Sequence, residues 1–135
     1  MQQNPKYQND DVVLEVEKFL QNAEQRCLDA GITKNRLLLD PGFCFGKTLQ
    51  HNLALINAIP DFCKKHNWNI LVGISRKSML GAITKNPVEN RLIESVTAAI
   101  LCADKGAKIL RVHDVKATKN ALQIWEAIAL NKFSN

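Results

Sequence analysis

The sequence predicts an α/β chain whose strands run parallel. Three short apolar runs carry the first part of this expectation: Arg36 to Asp40 (RLLLD), Asn69 to Gly73 (NILVG) and Lys108 to His113 (KILRVH). They begin 33 and 39 residues apart, a spacing of one strand and one helix per run. Amphipathic helical patterns fill the gaps between them. Each run is continuously apolar instead of alternating, which is the signature of strands covered on both faces, and such strands belong to parallel sheets under helices.

Taken in order, the first helix places Val12, Val16, Phe19, Leu20, Ala23 and Cys27 on one face before Gly31 supplies a stop. The second starts with Thr48 as N-cap and carries Leu49, Leu53 and Ile56 on one stripe, with Pro60 expected to end or kink it. The third reads as Asn86 at the N-cap, Pro87 at the first helical position and Glu89 two residues on, with Leu92, Val96, Ala99 and Ala103 inward and Gly106 closing it. A last helix from about Thr118 turns Leu122, Trp125 and Ile128 to its buried side, with Ala121 and Ile124 beside them, and the polar tail from Asn131 to Asn135 is expected to fray.

The 135 residues are 46% apolar and 23% charged, the composition of an ordinary globular chain that fits one domain. No stretch has the eighteen or so uncharged apolar residues of a membrane span, and the polar start from Met1 to Asp10 has no signal-peptide core, so a cytoplasmic protein is expected. Cys27, Cys44, Cys63 and Cys102 lie far apart with no C-x-x-C pair, which argues against disulfide or zinc roles. A formal charge of +5 favours anionic ligands. The basic residues are dispersed and aromatics make up only 6%, so a small phosphorylated substrate is favoured over nucleic acid.

Polar residues follow each of the three apolar runs: Asp40 with PGFCFGKT, then Ser75, Arg76, Lys77 and Ser78, then Arg111, His113 and Asp114. Parallel strands open their C-terminal ends on one face, so these loops should meet in one pocket. One carboxylate and several cations suit a ligand with both a hydrogen-bonding heterocycle and a diphosphate, because Arg and His match phosphate oxygens in charge and geometry. Each has a plainer reading as well. Asp40 before Pro41-Gly42 is a common turn residue, Arg76 and Lys77 read as a solvated pair, and His113-Asp114 reads as a helix entry; His51 and His66 read as ordinary surface residues. Gly42 to Thr48 is no nucleotide-hydrolysing P-loop, because three residues separate the glycines where that motif has four. Gly42 and Gly46 still permit close backbone approach, and Phe43 or Phe45 offers a stacking face, with Lys47 nearby.

The stretches LLLDPGFCFGKTLQHN, LVGISRKSMLG, PVENRL and ILRVHDV resemble, in order and spacing, the last three strand-loop signatures of the dihydropteroate synthase family. Met1-Gln2 and Asn4-Pro5-Lys6 resemble the segment after that family's fifth strand, so the resemblance spans residues 1–135 as the C-terminal portion of a pterin-binding barrel domain. It implies a partial (β/α)8 barrel: about the last three strands with their helices, plus one preceding helix.

The implied reaction condenses 6-hydroxymethyl-7,8-dihydropterin diphosphate with p-aminobenzoate, giving dihydropteroate and diphosphate. Asp40 and Lys77 would bind the pterin, with Phe45 at its border. Arg111 and His113 would hold the diphosphate, while Ser75, Arg76 and Ser78 would line the p-aminobenzoate or sulfonamide entry, with Lys47 at that rim. Gly73 and Val112, inside the matching stretches, complete the substrate-binding set, and Lys77, Arg111 and His113 are the expected catalytic residues. Mg2+ is implied, with its main ligand upstream of Met1 and none assigned in this chain. A homodimer is implied for the full-length family, with no nucleic-acid or membrane partner. Cys44 stands where the family usually has glycine, so altered loop packing is expected. Three strands cannot close a barrel of about 250 residues, so the isolated chain is expected to be inactive. Two other readings remain at this point: a non-catalytic module binding a phosphate ligand or partner, and another pterin-binding barrel of the methyltransferase type.

Overall fold

The structure is a computed structural model that describes residues 11–132; the Met1 to Asp10 segment of the resemblance lies outside the described residues. Five helices and two short strands follow in the order α1 (Val12–Asp29), α2 (Leu49–His66), β1 (Leu71–Val72), α3 (Ser78–Thr84), α4 (Leu92–Asp104), β2 (Ile109–Leu110) and α5 (Val115–Ala129). Leu71 and Val72 pair in parallel with Ile109 and Leu110. On the other side of β1, Leu39 forms a single parallel bridge with Ile70. The three apolar runs therefore lie side by side in chain order, with β1 in the middle.

The runs make less regular strand than expected. Arg36 to Asp40 begins in a 3-10 turn, Lys34–Arg36, and contributes only the Leu39 bridge. Its pairing is nonetheless definite, since Leu39 N donates to Asn69 O and Leu71 N to Leu39 O, both at 2.9 Å. Lys108 N and Arg111 N continue the ladder to Ile70 O and Val72 O, also at 2.9 Å.

The core sits between these strands and the α1–α2 pair. Phe43, Leu55, Ile59 and Ile70 are fully buried, with Val12, Phe62 and Val72 beside them. A side chain of this size contributes about 1.5–3 kcal/mol on burial, so this cluster holds the strand ends, and the loops that leave them, in place.

Local signals account for the helix starts in uneven fashion. Thr48 caps α2 as expected: its side chain accepts from His51 N, and the His51 ring accepts from Thr48 N in return. His51 is thus part of a capping box and not merely a surface residue. Pro60 does not end α2, which continues to His66. The buried stripe of α2 is Asn52, Leu55, Ala58, Ile59 and Phe62, while Leu53 is exposed. In α1 the buried positions are Val12, Val16 and Leu20, and Phe19 points to solvent.

The third helix departs furthest from expectation. Asn86 and Pro87 introduce only a 3-10 turn, Val88–Asn90, and α4 begins at Leu92. Its inward face is Ser95, Ala99 and Cys102, so Leu92 is left exposed. A helix turn not anticipated, α3, takes up Ser78–Thr84, because the polar loop after β1 runs straight into it. Likewise α5 starts at Val115, three residues earlier than expected, and Thr118 is its buried residue, with Ile128 80% exposed. His66 is also partly buried: it stacks on Trp68 with ring centroids 4.2 Å apart and pairs with Glu17, fastening α2 to α1.

Candidate functional site

Three loops leave Leu39, β1 and β2 on the same rim, because parallel strands present their C-terminal ends together. In the first loop, Asp40 Oδ1 accepts from Gly42 N at 2.8 Å, which fixes the turn. Its second oxygen, Oδ2, lies 3.8 Å from Arg111 Nη2 on the third loop. Both groups face solvent, so the pair adds little stability; its consequence is placement.

The loop from Asp40 to Thr48 is held from inside. Lys47 is buried, and its amine donates to Gly42 O at 2.9 Å and to Phe45 O at 3.2 Å. Burial lowers the pKa of this amine from its ordinary 10.5, opposed by the charge of Asp40. Lys47 thus braces the loop, where a rim cation was expected. Cys44 adopts φ 66, a conformation that favours glycine. Its N–H donates to Asn52 Oδ1 at 2.7 Å, and Asn52 Nδ2 donates to Thr48 O at 2.6 Å. The thiol at this position is accommodated because the buried Asn52 carboxamide grips the backbone around it.

From the second loop, Lys77 Nζ donates to Phe43 O at 2.6 Å and lies 4.5 Å from the centroid of the exposed Phe45 ring. Desolvation pulls its pKa below 10.5; Cys44 and Asp40 oppose this and Arg111 adds to it. The Lys77 amine thus sits over one face of the Phe45 ring, whose exposed remainder borders the cluster.

From the third loop, Arg111 lies across the end of β1. A Cβ at Gly73 would sit 2.7 Å from Arg111 Nη2, so glycine is what lets the guanidinium cross there. His113 N donates to Ser75 Oγ at 3.2 Å, and His113 Nδ1 is 3.0 Å from the same oxygen. Arg76 grips Asp114 with two bonds, Nε to Oδ2 at 3.1 Å and Nη2 to Oδ1 at 2.7 Å. That contact lowers the Asp114 pKa from 3.8.

Asp40, Phe45, Gly73, Lys77 and Arg111 are thus brought together, with Ser75 and His113 adjoining through their shared hydrogen bonds. Arg76 is engaged by Asp114, and Ser78 opens α3. Val112 departs from expectation: it alternates away from Arg111 and lines a groove of about 580 Å³ with Leu110, Leu122 and Trp125. Asp114 does precede α5, but it makes no side-chain cap bond and serves Arg76 instead. Asn52 and Ser95 were missed; each was legible as a polar residue at a buried helical position. Among the described residues no group of three or more His, Cys, Asp and Glu side chains converges.

An acceptor carboxylate, a half-buried amine, an exposed ring and an Arg/His pair can hold a planar heterocycle by its polar edge and an anion at its far end. Comparison with known proteins gives the family to which the chain is similar. Residues 1–113 match the family model described as pterin binding enzyme. A dihydropteroate synthase of Neisseria meningitidis serogroup C is 50% identical over 132 residues, covering 97% of this chain and 46% of the relative. The crystal structure of the Yersinia pestis dihydropteroate synthase superposes with a TM-score of 0.87 at 45% identity, covering 96% of this chain and 52% of that one. A Xanthomonas albilineans dihydropteroate synthase in complex with 7,8-dihydropteroate gives a TM-score of 0.87 at 43% identity, covering 94% and 50%. The chain spans about half the length of the curated relatives it matches. Parallel strands, a convergent polar rim and a family match over most of the sequence lead to one conclusion: the chain belongs to the pterin binding enzyme family.

Proposed function

We propose that this chain is the portion of a dihydropteroate synthase that binds the pterin and the departing diphosphate. The observation that carries the proposal is the meeting of Asp40 and Arg111 at 3.8 Å on the rim where Lys77 also ends. Asp40 accepts hydrogen bonds from the pyrimidine edge, Lys77 donates to the ring's oxygen and nitrogen, and Phe45 covers a face. Arg111 and His113 hold the diphosphate, while Ser75, Arg76 and Ser78 border the p-aminobenzoate entry. In the reaction the CH2–O bond to diphosphate breaks, a C–N bond to the arylamine forms, and the amine loses a proton. Positive charge grows on the pterin and negative charge on the leaving group. In this reading Asp40 offsets the first charge and Arg111 the second, and fixed charges of this kind contribute a few kcal/mol each.

The same reading makes residues 1–135 a contiguous part of one (β/α)8 barrel domain, acting on small molecules in the cytoplasm as a homodimer. No helix among the described residues is long and apolar enough to cross a membrane. The 135-residue chain alone is expected to turn over no substrate, since three strand positions do not close a barrel.

The test joins this chain to the preceding segment of the N. meningitidis relative and follows diphosphate release from the pterin diphosphate and p-aminobenzoate. Lys77→Ala and Arg111→Ala should each lower kcat/KM by about 10²–10³-fold. Near wild-type rates in both would remove the assignment.

A further inference from the structure

We propose that Arg91 and Ser95, which hydrogen-bond the backbone at Arg76 and Lys77 and not the Lys77 amine, are positioning residues that aim Lys77 into the site by holding the strained backbone at Arg76. This deepens the reading of Lys77 as a pterin-contacting group and rests on it.

The loop between β1 and α3 is strained at one residue. Arg76 has φ 58, a left-handed conformation that costs a non-glycine residue about 1–2 kcal/mol. Such a conformation persists only where surrounding contacts over-determine it. Beside the Arg76–Asp114 pair and the turn bond from Lys77 N to Ile74 O, the contacts on the Arg76 peptide units come from α4 and the residue before it. Arg76 N donates to Ser95 Oγ at 2.8 Å, and Ser95 is only 2% exposed. The Ser95 hydroxyl proton is committed to Arg91 O at 2.5 Å, which leaves a lone pair for Arg76.

Arg91 holds the other side of the same peptide units. Its Nη1 donates to Arg76 O at 3.0 Å and to Lys77 O at 3.4 Å, and its Nε donates to Asn86 O at 2.9 Å. The guanidinium has no freedom to slide toward α3. A Cβ at Gly81 would stand 2.1 Å from Arg91 Nη2, so the fork is pressed between α3 and the loop. The Arg91 fork serves three carbonyls from two nitrogens at fixed spacing, which the single ammonium of a lysine does not reproduce.

The result is a fixed N–H before, and fixed carbonyls on both sides of, the step into Lys77. The side chain then leaves toward Phe43 O, where its amine is half desolvated. Without those contacts the chain at Arg76 relaxes to negative φ and Lys77 swings toward water.

The experiment labels the lysines of the 135-residue chain with 13C, assigns Lys77 by loss of its signal in Lys77→Arg, and titrates it by NMR. Lys77 in the wild type should titrate below the ordinary 10.5, and Ser95→Ala, Arg91→Lys and Gly81→Ala should each move it back toward that value. Ser95→Thr, which keeps the hydroxyl, should retain the wild-type titration. An unchanged Lys77 titration in any of the first three variants whose circular dichroism matches the wild type overturns the proposal. Loss of fold in all three overturns it as well, since the residues would then support the core and not the loop. Adding 6-hydroxymethyl-7,8-dihydropterin diphosphate separates the two claims. A ligand that leaves the Lys77 signal unmoved in the wild type sinks the pterin reading, whatever the substitutions do.

Discussion

Substituting Asn52 by Ala should destabilise the chain by about 2–3 kcal/mol, although Asn52 sits on a helix and contacts no substrate-facing group. The carboxamide is 1% exposed, and its Oδ1 is the acceptor for Cys44 N at 2.7 Å. Alanine leaves that N–H without a partner in a half-buried loop, a cost of about 1–3 kcal/mol. Thr48 O loses the bond from Asn52 Nδ2 but keeps the helical bond from Asn52 N at 3.1 Å, so only one group is orphaned. The missing amide also leaves a void at a position only 1% exposed, while relaxation of Cys44 from φ 66 returns part of the loss. Urea unfolding followed by the fluorescence of Trp68 and Trp125 measures the difference, with the denaturant slope unchanged. The thermal midpoint should fall by roughly 8 °C. A loss below about 0.5 kcal/mol would show that the loop carries its own conformation and that Asn52 does not hold it.

Cys44→Val should cost about 2 kcal/mol more than Cys44→Gly in the same urea assay, because a β-branched residue resists φ 66 whereas glycine adopts it freely. Glu17→Gln should flatten the acid limb of the stability curve. The side-chain hydrogen bond from Lys65, followed by that from His66, depresses the Glu17 pKa below its ordinary 4.5. Its contribution is therefore complete above 4.5 and is lost as the pH falls below that value through the folded pKa, which thermal melts at stepped pH will report. Cys102, whose pKa burial pushes up to about 11, should stay unmodified by a thiol reagent at pH 8 until urea unfolds the chain; labelling in the native state would contradict its burial. Phe62→Ala should cost about 3–5 kcal/mol, since the ring is 1% exposed and packs against Trp68 with centroids 5.8 Å apart.

The sequence by itself determined the class of fold and the composition of the rim. Continuous apolar runs point to parallel strands under helices, although Leu38 and Ile109 stay exposed and the sheet is not covered on both faces throughout; parallel strands deliver whatever follows them to one side, so Asp40, Lys77 and Arg111 approach one another. Thr48 was equally legible as a cap, because a capping hydroxyl acts within one turn of its own helix.

What tertiary structure alone decided is everything that depends on a partner distant in the chain. Leu53, Phe19 and Leu92 fit helical stripes yet face water, since the covering surfaces lie elsewhere. Lys47 turned from a rim cation into a buried brace because the carbonyls of Gly42 and Phe45 curl around it. Arg76 and Asp114 found each other across 38 positions, and Ser95 reached Arg76 across 19. Such pairings follow from the packing of whole elements, which fixes side-chain direction only after the backbone has been placed. Local periodicity therefore names the groups that arrive at the rim, and long-range packing decides which of them face the ligand and which hold the others still.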